Sequence, residues 1–161
     1  MKNSLLIIGL ISIGLWIISC NPKNSIVSEE TSNFDSTLAI AYGADDYGMK
    51  KYVMAFLYRG ENQTIDADSS QALQMLHLKN IERMAEEGKL VLAGPFFGDG
   101  TLRGIYIFNV SSIAEAEALT YTDPAIQAGV LRMDLKEWYG SAALMGVNEA
   151  HLRIAKKSVV E

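Results

Sequence analysis

QALQMLHLKNIERMAEEGKLVLAGPFF, residues 71–97, is the stretch whose reading decides the fold. At helical period Leu73, His77, Ile81, Met84 and Ala85 recur every three to four residues, so the imidazole of His77 joins the apolar stripe. Gln74, Lys79, Glu82 and Glu86 form the wet face. Asp68 or Ser69 is the expected N-cap, and Gly88 the expected left-handed stop. Residues 89–93 are short, apolar and bounded by Gly94-Pro95, which predicts a buried strand followed by a turn.

Outward from this stretch the pattern repeats. Residues 51–58, KYVMAFLY, are β-branched, aromatic and nearly all apolar, as in a strand covered on both faces. Residues 102–110 alternate, with Leu102, Gly104, Tyr106, Phe108 and Val110 on one side, and read as a central strand. Ser112 and Glu115 fit a capping box that opens a helix through about residue 121. Asp123 is the expected N-cap of a short helix with Pro124 at its first position and Gly129 at its end, before a last strand over 130–139. The order strand, helix, strand, strand, helix, strand is the split βαβ of α+β, ferredoxin-like folds: an antiparallel sheet with helices on one face. The other face remains apolar, and a second copy packed sheet to sheet is the expected cover, which makes a homodimer the expected state.

The chain has 161 residues, 49% hydrophobic and 20% charged, enough for one globular domain with extra segments. With a net charge of −5 and no basic run longer than Lys156-Lys157, it lacks the electrostatic footprint of nucleic-acid binding. The lone cysteine, Cys20, rules out an intrachain disulfide and a cysteine zinc cage. The two histidines, His77 and His151, are too far apart in the chain to give a ligand spacing, so no metal and no other cofactor is expected.

Residues 1–19 have a lysine, an apolar run from Leu5 to Ile18 and a small residue before Cys20, the layout of a secretory signal rather than of a membrane span. Ile17-Ile18-Ser19-Cys20 resembles the bacterial lipobox, which implies acylation of Cys20 and attachment to the membrane by lipid alone. Asn21, where some bacteria use aspartate for inner-membrane retention, points to the outer membrane facing the periplasm. The expected organisation is a signal over 1–19, a lipidated cysteine and tether over 20–48, a domain over 49–140 and a C-terminal extension over 141–161.

His77, the run GKLVLAGPF over 88–96, and Asp123-Pro124 followed by Ala128-Gly129 together resemble the YciI-like (YCII-related) family of the dimeric α+β barrel superfamily across residues 50–140. The resemblance implies a ferredoxin-like dimer and an active site of one histidine and one aspartate, falling on His77 and Asp123. It implies little about the reaction, although a few members act on ring compounds, one by removing chloride from a chlorinated hydroxyquinol. The lipobox and tether depart from the short cytoplasmic members.

Each candidate residue has two readings. His77 is either a packed histidine or a general base poised near neutral pH by a carboxylate. Asp123 is a cap in any case, and within reach of His77 it would also fix the tautomer. Gly94 and Pro95 form a turn or let a substrate approach backbone. Arg59 is solvated or binds an anion. Phe97 lines an aromatic pocket with Tyr58, whereas Phe96 and Tyr106 are better explained by core packing. The expected function is acid–base chemistry of lyase, isomerase or dehalogenase type on a small organic acid or phenol. The competing expectation is a non-catalytic ligand-binding or assembly module of the cell envelope.

Overall fold

The computed structural model describes residues 33–160. Cys20, the signal-like segment and the expected tether before residue 33 lie outside them. The first described element is a helix within the expected tether: α1, Ser36–Tyr42, held by Asp35 Oδ1 accepting from Leu38 N and by Gly43 in the left-handed region. Seven residues are marginal as an isolated helix, and this one is fixed by its caps and by the packing of Tyr42 against Gly146.

The sheet contains β1 (Met49–Arg59), β2 (Leu90–Pro95), β3 (Leu102–Phe108) and β4 (Leu131–Ser141) in the spatial order β2-β3-β1-β4, every neighbour antiparallel. Between them run α2 (Ala67–Glu86), α3 (Ile113–Thr120) and α4 (Pro124–Gln127). This is the ferredoxin-like α+β topology: β1 and β2 run parallel with β3 inserted between them. The expected N-cap of α2 is displaced to Asp66, whose carboxylate accepts from both the backbone N–H and the hydroxyl of Ser69. Gly88 stops the helix at φ 67°, as the sequence predicts. Gly94 and Pro95 are a second departure, because both belong to β2 and pair with Ile105 and Gly104. An edge strand tolerates a proline at its end because one side of its ladder is unused.

Alternation sorts the strands into two faces. Val53, Ala55 and Leu57 of β1, with Tyr106 and Phe108 of β3, face the helices, where Met84 and Ala116 close the core. Full burial of a side chain such as Phe108 contributes about 1.5–3 kcal/mol. The opposite face carries Tyr52 and Ile107, joined by Val91 and Leu92, both brought there by a register shift between Leu90 and Leu92. One end of that face is covered by the chain itself. After β4 a 3-10 turn, Ala142–Gly146, lays Leu144 and Met145 on Tyr52, Val91 and Ile107, and α5 (Val147–Ile154) follows alongside the β2 edge. The other end, with Phe56, Tyr58 and Ile105, is only half-buried.

Candidate functional site

Three elements converge on His77. It sits in the middle of α2 on the buried stripe, between the half-buried Leu73 and Ile81. Facing it is the junction between α3 and α4, where Asp123 is the N-cap that its position before Pro124 predicts: Oδ1 accepts from Ala125 N at 2.9 Å. The second oxygen, Oδ2, lies 2.6 Å from His77 Nδ1. Asp123 is fully buried and His77 is 7% exposed. One carboxylate therefore performs both duties, capping α4 with one oxygen and holding the imidazole with the other.

The third element is β3. Tyr106 points to the helix side, and its hydroxyl lies 3.2 Å from His77 Nε2. An ionised Asp123 can only accept, so Nδ1 carries the proton in the neutral ring and Nε2 presents a lone pair to the Tyr106 O–H. Burial, followed by the nearby charge of Asp123, pushes the Tyr106 phenol well above its ordinary range, so it stays protonated and remains a donor. Tyr106 does pack in the core as expected, with Phe108 edge-on at 5.7 Å. Its hydroxyl has a polar partner that an alternating strand pattern does not disclose.

A second polar residue lies one turn further along α2. Asn80, 7% exposed, was outside the predicted apolar stripe. Its Oδ1 accepts from Arg83 Nη2 at 2.8 Å, and the same Nη2 donates to Thr122 Oγ1 at 3.0 Å. Thr122 immediately precedes Asp123, so Arg83 and Asn80 tie α2 to the segment that presents the carboxylate. Turning the amide over would set Nδ2 against the guanidinium, donor to donor, which fixes the orientation. Nδ2 is then buried without a partner among the described residues. The signal available in the sequence was spacing: residues 77, 80 and 84 share a face.

The remaining candidate residues do not gather at this centre. Gly94 pairs with Ile105, whose side chain points away from the helices, and so lies on the face opposite His77. Pro95 is exposed at the end of β2, and Phe97 is fully exposed. Phe96, expected in the core, is 45% exposed because the sheet ends just before it. Arg59 is exposed, and among the described residues its guanidinium reaches Gln63 alone, at 3.5 Å. Among the described residues no three histidine, cysteine or acidic side chains come together as a metal cluster would require.

Two cavities are among those that open on the surface of the described residues. One, of about 480 Å³, lies between α3 and β4, with Thr120, Ile126 and Leu131 in its wall. The other, of about 690 Å³, lies between α2, β2 and the C-terminal segment. Neither is lined by His77, Tyr106 or Asp123, although Thr120 and Ile126 flank the turn that carries Asp123. The side chain of His77 keeps 9% of its surface open.

The sheet order and the buried contact define the class: a ferredoxin-like α+β protein with a hydrogen-bonded histidine–aspartate pair between its helices. Residues 51–139, more than half of the chain, match the YCII-related domain, and the chain belongs to that family. It is 32% identical over 62 residues to the uncharacterized protein YjpA of Bacillus subtilis (strain 168), a match covering 38% of this chain and 71% of that protein. A solved structure similar to it is the 5-chloro-2-hydroxyhydroquinone dehydrochlorinase TftG from Burkholderia phenoliruptrix AC1100 in complex with 2,5-dihydroxybenzoquinone. There the identity is 17% and the TM-score 0.42, covering 53% of this chain and 92% of that one.

Proposed function

We propose that this protein is a cofactor-independent acid–base enzyme of lyase, isomerase or dehalogenase type, acting on a small organic acid or phenol. The observation that carries the reading is the buried 2.6 Å contact between His77 Nδ1 and Asp123 Oδ2. A carboxylate in that position holds the imidazole in the tautomer whose Nε2 is a free base, and stabilises the imidazolium once a proton is taken. The Tyr106 hydroxyl occupies Nε2 at 3.2 Å, long for an O–H···N bond, so a substrate hydroxyl can take its place. Proton transfer then runs from substrate to Nε2, and the same nitrogen returns the proton to a neighbouring carbon or to the leaving group.

The test is solvent-deuterium exchange into a panel of hydroxylated aromatic acids and halogenated hydroquinones, followed by NMR. Loss of the base in His77→Gln is expected to slow exchange by about 10²-fold or more. Equal rates in wild type and His77→Gln would overturn the reading. Burial of the pair, and its absence from both cavity walls, favours a second reading. In that reading the protein is a non-catalytic ligand-binding or assembly module, and the pair simply ties α2 to α4. It predicts no exchange with any member of the panel.

Two further parts of the proposal concern place and partner. The lipobox-like end at Cys20 would anchor the protein by lipid in the bacterial envelope, at the outer membrane facing the periplasm. The half-open end of the sheet, with Phe56, Tyr58 and Ile105, would pack on a second copy as a homodimer.

A further inference from the structure

The cavity of about 690 Å³ has walls from three places in the chain. Ile81 and Ala85 come from α2, residues 90–93 from β2, and Val147, Leu152 and Val159 from the C-terminal segment. It lies on the β2 side of α2, whereas His77 and Asn80 face the α3–α4 junction on the other side, so it is separate from the acid–base pair. Two hydrogen bonds fix its outer wall: Asn148 Nδ2 donates to Leu90 O at 2.8 Å, and Ser158 Oγ to Glu82 Oε1 at 3.1 Å. The C-terminal segment thus takes the place of a neighbouring strand along the β2 edge, yet leaves a void instead of a packed interface.

Its volume is within the roughly 300–1,000 Å³ of small-ligand sites. Leu152 and Val159 line it and remain 78% and 67% exposed, apolar surface that the chain alone leaves uncovered. The wall runs the whole length of α5, eight residues or about 12 Å, which suits an extended alkyl chain better than a compact ring. Charge is concentrated past the end of α5. Lys156 and Lys157 line the cavity there and make no ion pair among the described residues, and His151 lines it one turn before. The acids facing them from α2 are Glu82, already accepting from Ser158, and Glu86.

We propose that this cavity binds a medium-chain alkyl carboxylate: the chain lies between α2, β2 and α5, and the carboxylate meets Lys156 and Lys157. Contact with alkyl methylenes gives the affinity, and the two ammonium groups select an anionic head.

The experiment uses the full chain in phospholipid vesicles, a ten-carbon carboxylate bearing a terminal diazirine, and peptide mapping by mass spectrometry after irradiation. Labelling is expected within residues 81–93 and 147–159, suppressed by excess decanoate, and at least tenfold lower for the amine-headed analogue. Ala85→Phe, which fills the cavity, should abolish it. Lys156→Glu with Lys157→Glu, both exposed, should cut it at least fivefold without moving the thermal midpoint, so the result does not depend on the folding of the filled variant. Labelling spread along the chain, equal labelling by the amine, or equal labelling of the double lysine variant would overturn the proposal. So would an unlabelled cavity, including one already occupied by a segment of a second copy.

Discussion

The hydroxyl of Tyr106 lies 3.2 Å from His77 Nε2, the nitrogen opposite the one that Asp123 holds at 2.6 Å. Both ring nitrogens are engaged, one from a strand and one from a helix junction, so the imidazole is fixed in plane and in tautomer. Removing the hydroxyl frees Nε2 and leaves the packed ring. Tyr106→Phe is therefore expected to cost about 1–3 kcal/mol of stability, the cost of leaving one buried nitrogen without its donor. A loss above about 3 kcal/mol in urea unfolding would mean that the hydroxyl holds more than this contact.

Asp123 carries two loads that substitution can separate. Asn keeps one oxygen for Ala125 N and turns an amide N–H toward His77 Nδ1, which accepts it in the other tautomer, so Asp123→Asn should lose about 1–2 kcal/mol. Asp123→Ala removes cap and partner together and should lose about 3–5 kcal/mol. Equal losses for the two substitutions, measured by chemical denaturation, would contradict the dual role.

Asn80 tests the opposite sign. Its buried Nδ2 lacks a partner, a penalty of about 1–3 kcal/mol that an apolar side chain of similar size removes. Asn80→Leu gives up the bond from the half-buried Arg83, so its stability should equal or exceed that of the wild type within about 1 kcal/mol. A thermal midpoint several degrees lower would show that an ordered water satisfies the amide.

Alkaline stability follows from the phenols. Burial raises Tyr106, and Tyr139 is raised by its hydrogen bond to Asp45, so both hold their protons in the folded state above pH 10. A raised folded-state value means stability that is complete below the unfolded value near 10 and is lost as pH climbs beyond it. Above pH 10 the buried Tyr106 should lower stability by up to about 1.4 kcal/mol per pH unit. Tyr106→Phe should reduce that slope by one proton, read from urea midpoints between about pH 9 and about pH 11. An unchanged slope would place the phenol in contact with water.

The proposed dimer uses the end of the sheet that the C-terminal segment leaves open. Phe56 and Tyr58 project there from β1, and Arg132 stacks on the Tyr58 ring at 4.4 Å. Phe56→Glu should convert a dimer to a monomer in light scattering without unfolding it, because Phe56 is only half-buried within one chain. A wild-type monomer would remove the proposal directly.

The elements set by short-range rules were legible in the sequence. Gly88 and Gly129 end their helices in the left-handed region, Ser112 and Asp123 cap where expected, and Leu73, His77, Ile81 and Met84 lie on the inward side of α2. α1 went unread because its seven residues carry too little periodicity, although Asp35 and Gly43 mark its ends. Gly94-Pro95 went unread as strand because a Gly-Pro pair is a turn signal in most contexts, and only pairing with Ile105 and Gly104 overrides it.

Taken alone, the chain's order of residues determined the succession of strands and helices, the inward turn of His77 and the place of Asp123 before Pro124, because each depends on neighbours within about four positions. The tertiary structure decided which nitrogen meets which oxygen, that Tyr106 shares the site, that Asn80 is buried with an idle donor, and that Leu144 and Met145 cover one end of the sheet. Those partners lie 29 to 46 residues apart in the pairs around His77. Sheet register and helix packing bring them together, and neither is encoded in any local run of sequence.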